Sequence, residues 1–178
     1  MRVFGIDPGS LTTGYGVVEK HGAGLVHVDN GLIRPKRDIS FSERLKHIYT
    51  EIDRLLGEFK PDVVALEEAF FGKDARAAMK LGHVRGIAML AAVSRSIKVA
   101  EYLPVHVKKA VTGFGHADKP QVQKVVRAIL KLPEVAAEDA SDALALAICH
   151  LNGSAMTIAI EKALKKTNDR STDRKTGS

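Results

Sequence analysis

The sequence predicts one α/β domain in which a central mixed five-stranded sheet is flanked by helices. Three observations carry that expectation. Five short apolar runs, closed by Gly, Pro or an acid, have the length and β-branched content of strands. Segments with apolar residues at three- and four-residue spacing separate the later runs and follow the last one. Finally, 178 residues, 45% hydrophobic and 27% charged, suit a single core, because domains commonly hold about 100–200 residues.

The first run, Arg2 to Asp7, is stopped by Pro8-Gly9-Ser10, where proline and glycine turn the chain. Gly14 to Lys20 and Leu25 to Ile33 are two further β-rich runs joined by His21-Gly22-Ala23-Gly24, a connection typical of a hairpin. Three antiparallel strands therefore come first. Ser40 with Glu43 forms a capping box, and Phe41, Leu45, Ile48, Ile52, Leu55, Leu56 and Phe59 follow with a helical period that ends before Pro61. Val63 to Leu66 reads as a buried strand that runs into Glu67-Glu68 and then Phe70-Phe71-Gly72.

A long helix starts near Asp74 and carries Ala78, Gly82 and Gly86 at four-residue steps, a smooth stripe that another backbone can approach closely. Glycine costs about 1 kcal/mol relative to alanine inside a helix, so two of them imply a packing reason. Two readings stand side by side: tight packing on the sheet, or a helix from a second subunit. Ile97 to Leu103 is the fifth strand. Pro104 then suits a helix start and Gly113 its end. After the loop Gly113-Phe114-Gly115-His116-Ala117, a helix from Asp118-Lys119-Pro120 has an apolar face of Val122, Val125, Val126, Ile129 and Leu130. A last helix spans about Glu138 to Leu151 with Leu144, Ala147, Ile148 and Leu151 on its apolar side. The folded domain is expected over residues 1–155. Residues 156–178 form a polar basic tail with no apolar side chain after Lys165, which is expected to be disordered because it has no face to bury.

The formal charge of +6 and a pI of about 9.5 favour an anionic partner. Half of that excess sits in residues 165–178, where five Lys and Arg face two Asp. The single cysteine, Cys149, can form neither an internal disulfide nor a thiolate zinc cluster, which points to the cytoplasm; on its apolar helix it reads as an inert buried side chain. The N-terminal apolar run is too short for a signal peptide or a membrane span, so no membrane association is expected. His47, His83, His106 and His116 lack ligand-like spacing, and of these only His116 lies in a loop that could face a nucleic acid.

Four acids lie where backbone geometry can present them to one spot. Asp7 ends the first strand, Glu67 ends the fourth, and Asp139 and Asp142 are neighbours on one face of the last helix. Taken singly, each is also what turn or cap chemistry would place there. Taken together they make an oxygen-only, carboxylate-rich set suited to hard cations such as Mg²⁺ or Mn²⁺. Two such ions about 4 Å apart can activate water and stabilise the leaving oxygen of a phosphodiester.

Five blocks in order carry a family resemblance: Met1 to Ser10 with Thr13-Gly14-Tyr15-Gly16-Val17; Leu66-Glu67-Glu68-Ala69-Phe70; Lys80-Leu81-Gly82 with Arg85-Gly86; Val107-Lys108 and Lys119 with Gln121-Val122; and Asp139-Ala140-Ser141-Asp142-Ala143-Leu144-Ala145. Over residues 1 to about 150 the chain resembles the RuvC family of crossover-junction endodeoxyribonucleases. The resemblance implies a ribonuclease H-like fold and a homodimer that resolves four-way Holliday junction DNA by two symmetric nicks, leaving 5′-phosphate and 3′-hydroxyl ends. It implies that Asp7, Glu67, Asp139 and Asp142 bind two Mg²⁺ ions, for which Mn²⁺ can substitute, with Glu68 the adjacent non-catalytic acid. It places Phe70 where the family has an aromatic that stacks on unpaired bases, a contact worth about 1–3 kcal/mol per base. Lys108 and Lys119 match basic positions near the scissile phosphate, and Lys119 is counted with the catalytic set. Partner helicase proteins of the RuvA and RuvB type are implied as well. The stripe of Ala78, Gly82 and Gly86 is the expected dimer interface.

Three rival readings remain. Gly5-Ile6-Asp7-Pro8-Gly9 also resembles the phosphate loop of actin-like and sugar-kinase folds, but 178 residues leave no room for the second lobe that closes on ATP. A catalytically silent junction-binding protein would not need all four acids. A ribonuclease H-like nuclease acting on RNA would leave the aromatic beside Glu67 and the glycine stripe without a purpose.

Overall fold

The computed structural model describes residues 1–68 and 74–153. Its elements follow the expected order: β1 (Arg2–Asp7), β2 (Thr13–His21), β3 (Gly24–Ile33), α1 (Phe41–Phe59), β4 (Val63–Glu67), α2 (Ala75–Ser94), β5 (Lys98–Tyr102), α3 (Pro104–Thr112) and α4 (Lys119–Leu130). A further helix, α5, occupies residues 138–153. The five strands form one mixed sheet in the order β3-β2-β1-β4-β5. The β1–β2 and β2–β3 pairs are antiparallel, while β1–β4 and β4–β5 are parallel.

Local chemistry sets the ends of these elements. Ser40 Oγ accepts from the Glu43 amide, and the Glu43 carboxylate accepts from the Ser40 amide at 2.8 Å, so the capping box of α1 is complete. Asp74 and Asp118 cap α2 and α4 in the same way, by accepting from first-turn amides. Gly113 ends α3 with φ +83°, a left-handed conformation that glycine adopts without side-chain strain. Pro120, directly after Lys119, falls in the first turn of α4, where its missing N–H costs nothing.

The sheet has two differently covered faces, and the side-chain alternation of strands decides which residues meet which helices. Phe4, Ile6, Val17, Val64 and Leu66 face α1 and α2, packing on Ile48, Ile52, Leu55, Leu56, Val84 and Ala88. Val3, Val18, Val63 and Ala65 face α3, α4 and α5, packing on Val107, Val122, Val126, Leu144, Ala147 and Ile148. Asp7 and Glu67 lie two residues beyond Gly5 and Ala65, so both point to this second face. Gly82 and Gly86 do not pack on the sheet: space for a β-carbon is open at both. Of the two readings of the stripe, close packing on the sheet is therefore excluded. Phe70, Phe71 and the tail 156–178 lie outside the described residues.

Candidate metal-dependent nuclease centre

Register and small residues together build the site. β1 and β4 are parallel neighbours, paired from Val3↔Val63 to Ile6↔Leu66, so Asp7 and Glu67 emerge side by side at their carboxyl ends. Open α/β sheets place ligands there because the helices and loops that follow the strands diverge. The other two acids arrive on α5, and glycine lets them come close. A β-carbon on Gly5 would collide with the Ala143 carbonyl, one on Gly14 with the Asp139 carbonyl, and one on Gly16 with Leu144. Gly5 pairs with Gly16, and Asp7 with Gly14, so these positions form a smooth patch on which α5 lies backbone to backbone. Ala140, Ala143 and Ala147 on the helix are fully buried. Small faces both small, and Asp139 and Asp142 are carried to the ends of β1 and β4.

The turn after Asp7 is clasped by Thr13, which is fully buried. Its hydroxyl donates to the Gly9 carbonyl at 2.8 Å and accepts from the Gly9 amide at 3.3 Å. The backbone that aims Asp7 is thus tied to the first residue of β2.

Asp7, Glu67 and Asp142 line a cleft of ≈ 200 Å³ with Lys108 and Lys119, against an apolar wall that includes Val107, Val122 and Leu146. Asp139 is half-buried and does not line the cleft, but its charge is felt by both Asp7 and Asp142. Burial pushes the Asp7 carboxyl up to about 7, and the charges of Asp142, Asp139 and Glu67 add to that rise. Burial is also the main cause that raises Glu67 and Asp142. Lys119 opposes the rise at all three acids, while Arg85 and Lys108 oppose it at Glu67. The cluster is short of positive charge.

Among the described residues no three acid, His or Cys side chains are already drawn together as a metal cage. Lys119 is shared between Glu138, outside the cleft lining, and Asp142 at 3.6 Å, so it only partly offsets the charge of the acids. The donor set nevertheless fits hard divalent ions, being all carboxylate oxygen, converging from three elements, and protonating too readily for want of a cation.

Several contributors were not singled out from the sequence. Gly5, Gly14 and Gly16 could have been found by placing glycines on one face of paired strands, but only with the register in hand. Glu138, which holds Lys119, carries no motif. Arg85 is 8% exposed and pairs through Nη2 with Glu101, while its Nη1 has no partner among the described residues. Tyr102, opposite Glu67 in the sheet, shares a 2.6 Å hydrogen bond with His150 of α5. That bond ties β5 to α5. Cys149 is buried and its thiol is pushed up to about 11 by that burial, which leaves it inert at neutral pH. His116 is exposed, and His83 meets Phe41 edge-on with ring centres 5.8 Å apart.

A family model described as crossover junction endodeoxyribonuclease RuvC matches residues 3–150. The chain is 56% identical over 150 residues to the protein of that name from Syntrophotalea carbinolica, covering 84% of this chain and 93% of the relative. It is 51% identical over 156 residues to the Geobacter sulfurreducens protein, covering 88% and 95%. Among solved structures, Thermus thermophilus RuvC in complex with a Holliday junction substrate is similar with a TM-score of 0.83 and 35% identity, covering 88% of this chain and 96% of that one.

Proposed function

The chain belongs to the RuvC family of crossover junction endodeoxyribonucleases, and from that membership we propose that Asp7, Glu67, Asp139 and Asp142 are the metal-holding acids of its hydrolytic centre. The enzyme is a Holliday junction resolvase of DNA recombination and repair, which cuts four-way junctions by paired symmetric nicks and leaves 5′-phosphate and 3′-hydroxyl ends. One observation carries the site assignment: acids from β1, β4 and α5 converge on a single cleft that also holds two lysines.

Each group has work to do there. Asp7 and Glu67, on adjacent strands, form the rigid half of the ligand set, and Asp142 with Asp139 form the half carried by α5. When bound, two divalent ions would supply an activated water and neutralise the charge that develops on the leaving oxygen. Mg²⁺ is the expected ion and Mn²⁺ its substitute, because both accept an all-oxygen set. Lys108 presents a point charge from the cleft wall toward a phosphate. Lys119 waits beside Asp142 and Glu138, and a phosphate entering the cleft gives its ammonium a further partner. Val107, Val122 and Leu146 exclude water from one side, which strengthens every charge interaction inside. Phe70 is assigned to stacking on an unpaired base at the crossover.

Paired symmetric cuts call for two copies. The dimer is assigned to α2, where Ala78, Gly82 and Gly86 floor an open apolar groove edged by Met79, Ile87 and Leu90. Met79 and Leu90 are more than half exposed in the single chain, a cost that a second helix would remove. Helicase proteins of the RuvA and RuvB type are the proposed partners at the junction. No described helix is long and apolar enough to cross a membrane, and the proposed place of action is the cytoplasm.

The test is a synthetic four-way junction with Mg²⁺. Wild type should give paired nicks, whereas Asp7→Asn should bind the junction and leave it intact. Cutting by Asp7→Asn, or equal cutting of linear duplex by wild type, would overturn the assignment.

A further inference from the structure

Phe114 stands on the segment that joins the two lysine-bearing helices of the cleft, and 75% of its surface is exposed, more than that of any other large apolar side chain described. No aromatic ring or cation among the described residues packs on its face. The exposure does not come from a loose loop. The Phe114 amide donates to Thr112 Oγ1 at 3.2 Å, and that hydroxyl reaches the Lys108 and Phe114 carbonyl oxygens at 2.8 and 3.0 Å. Gly113 supplies the left-handed turn, Gly115 closes on the Val105 side chain, and Ala117 is anchored in the core at 5% exposure. A fixed backbone therefore holds a bare ring in solvent.

The surroundings select the partner. Lys108 lies in the cleft itself, and Lys109 is exposed one turn after Val105. The nearby acids are engaged: Asp118 accepts from the Gln121 amide at 2.8 Å, and Glu138 pairs with Lys119. An exposed aromatic on the loop between the helices that carry Lys108 and Lys119 joins, on one stretch of chain, a ring that can take a base by stacking and ammonium groups that can take its backbone by charge. A protein partner would ask for a wider apolar patch, whereas between Leu103 and Leu130 the described residues expose only Leu103, Val105 and Phe114 among large apolar side chains.

We infer that Phe114 is a second base-stacking residue, which receives an unpaired nucleotide of the DNA at the rim of the cleft on the α3–α4 side. It rests on the reading of the cleft as a nuclease centre. It is separate from the role given to Phe70, which belongs to the segment after β4.

The experiment compares wild type, Phe114→Ala and Phe114→Trp on three probes: a four-way junction, a linear duplex and a thymidine oligonucleotide with and without its bases. Phe114→Ala should bind the junction and the base-bearing oligonucleotide roughly 5- to 150-fold more weakly, the range that one lost base stack gives. Phe114→Trp should stay within about twofold of wild type on this scale, and duplex binding should be unchanged because its bases are already stacked. Abasic oligonucleotide should bind wild type and Phe114→Ala alike. Equal junction and oligonucleotide binding by wild type and Phe114→Ala overturns the inference, as does loss with Phe114→Trp equal to loss with Phe114→Ala. A change in sedimentation without a change in DNA binding also overturns it, by giving the ring to a second copy of the chain. Failure of the nuclease reading would look different: wild type itself would show no preference for the junction over duplex, while the oligonucleotide comparison would still report on the ring.

Discussion

Asp7 shows how a residue proposed to hold metal can be costly to the fold that carries it. Its carboxyl is raised to about 7 from an ordinary 3.8, so the folded chain binds that proton more tightly than the unfolded chain does. Stability from this group is therefore complete below about pH 4 and is lost as pH rises through 7. In EDTA at pH 8, Asp7→Asn should melt higher than wild type by roughly 3–8 °C, corresponding to about 1–3 kcal/mol, and the gap should close by pH 4. A divalent ion should restore wild type while leaving the variant unmoved; equal melting of the two proteins at pH 8 in EDTA would contradict the account.

The Arg85–Glu101 pair is asymmetric in another way, since the Arg85 side chain is 9% exposed and that of Glu101 is 42% exposed. Removing Glu101 leaves a buried cation alone, whereas removing Arg85 leaves an acid that water can reach. Glu101→Ala should cost about 2–4 kcal/mol in urea denaturation and Arg85→Met less than about 1 kcal/mol. A larger loss for Arg85→Met would show that Arg85 stabilises the fold by more than its pair with Glu101, and would contradict this account.

At the scale of elements, glycine does opposite things in strands and in a helix. Gly5 and Gly14 are filled from outside by the backbone of α5, so even alanine must push the helix off the sheet. Gly14→Ala should lose at least about 2 kcal/mol and, because Asp139 moves with the helix, should lose cleavage even where it remains folded. Calorimetry and the junction assay, run on the same preparation at low temperature, separate the two effects. Gly82 faces open space, so Gly82→Ala should add up to about 1 kcal/mol of helix stability to the single chain. Gly82→Leu, which blocks the groove, should lower the sedimentation coefficient toward that of a monomer.

Over the whole molecule, charge is arranged in two tiers. The cleft gathers three acids, all of them proposed metal ligands, while half of the net +6 lies in residues 165–178. Deleting those residues should flatten the dependence of duplex affinity on salt, since fewer counterions are released, and should leave the rate of junction cutting at saturating enzyme within about twofold. Loss of cutting at saturation would give the tail a part in the reaction itself.

The same division explains how much could be read before the fold was known. The order of strands and helices was legible because periodicity, capping boxes and Pro or Gly punctuation are local signals, and each lies within a few residues of the element that it defines. The four acids were legible as types at strand ends and on a helix face. What the chain could not disclose was distance: that Gly5, Gly14 and Gly16 share one patch, that Glu138 holds Lys119, and that Arg85 is buried behind Glu67. It also could not say which way the stripe on α2 faces, because glycines at four-residue steps look alike whether they meet a sheet or solvent. The sequence by itself determined the elements and the chemistry available to them, since both depend on near neighbours along the chain. Only the tertiary structure decided which groups share a cleft and which way the glycines and Phe114 face, because burial and convergence depend on contacts between residues far apart in sequence.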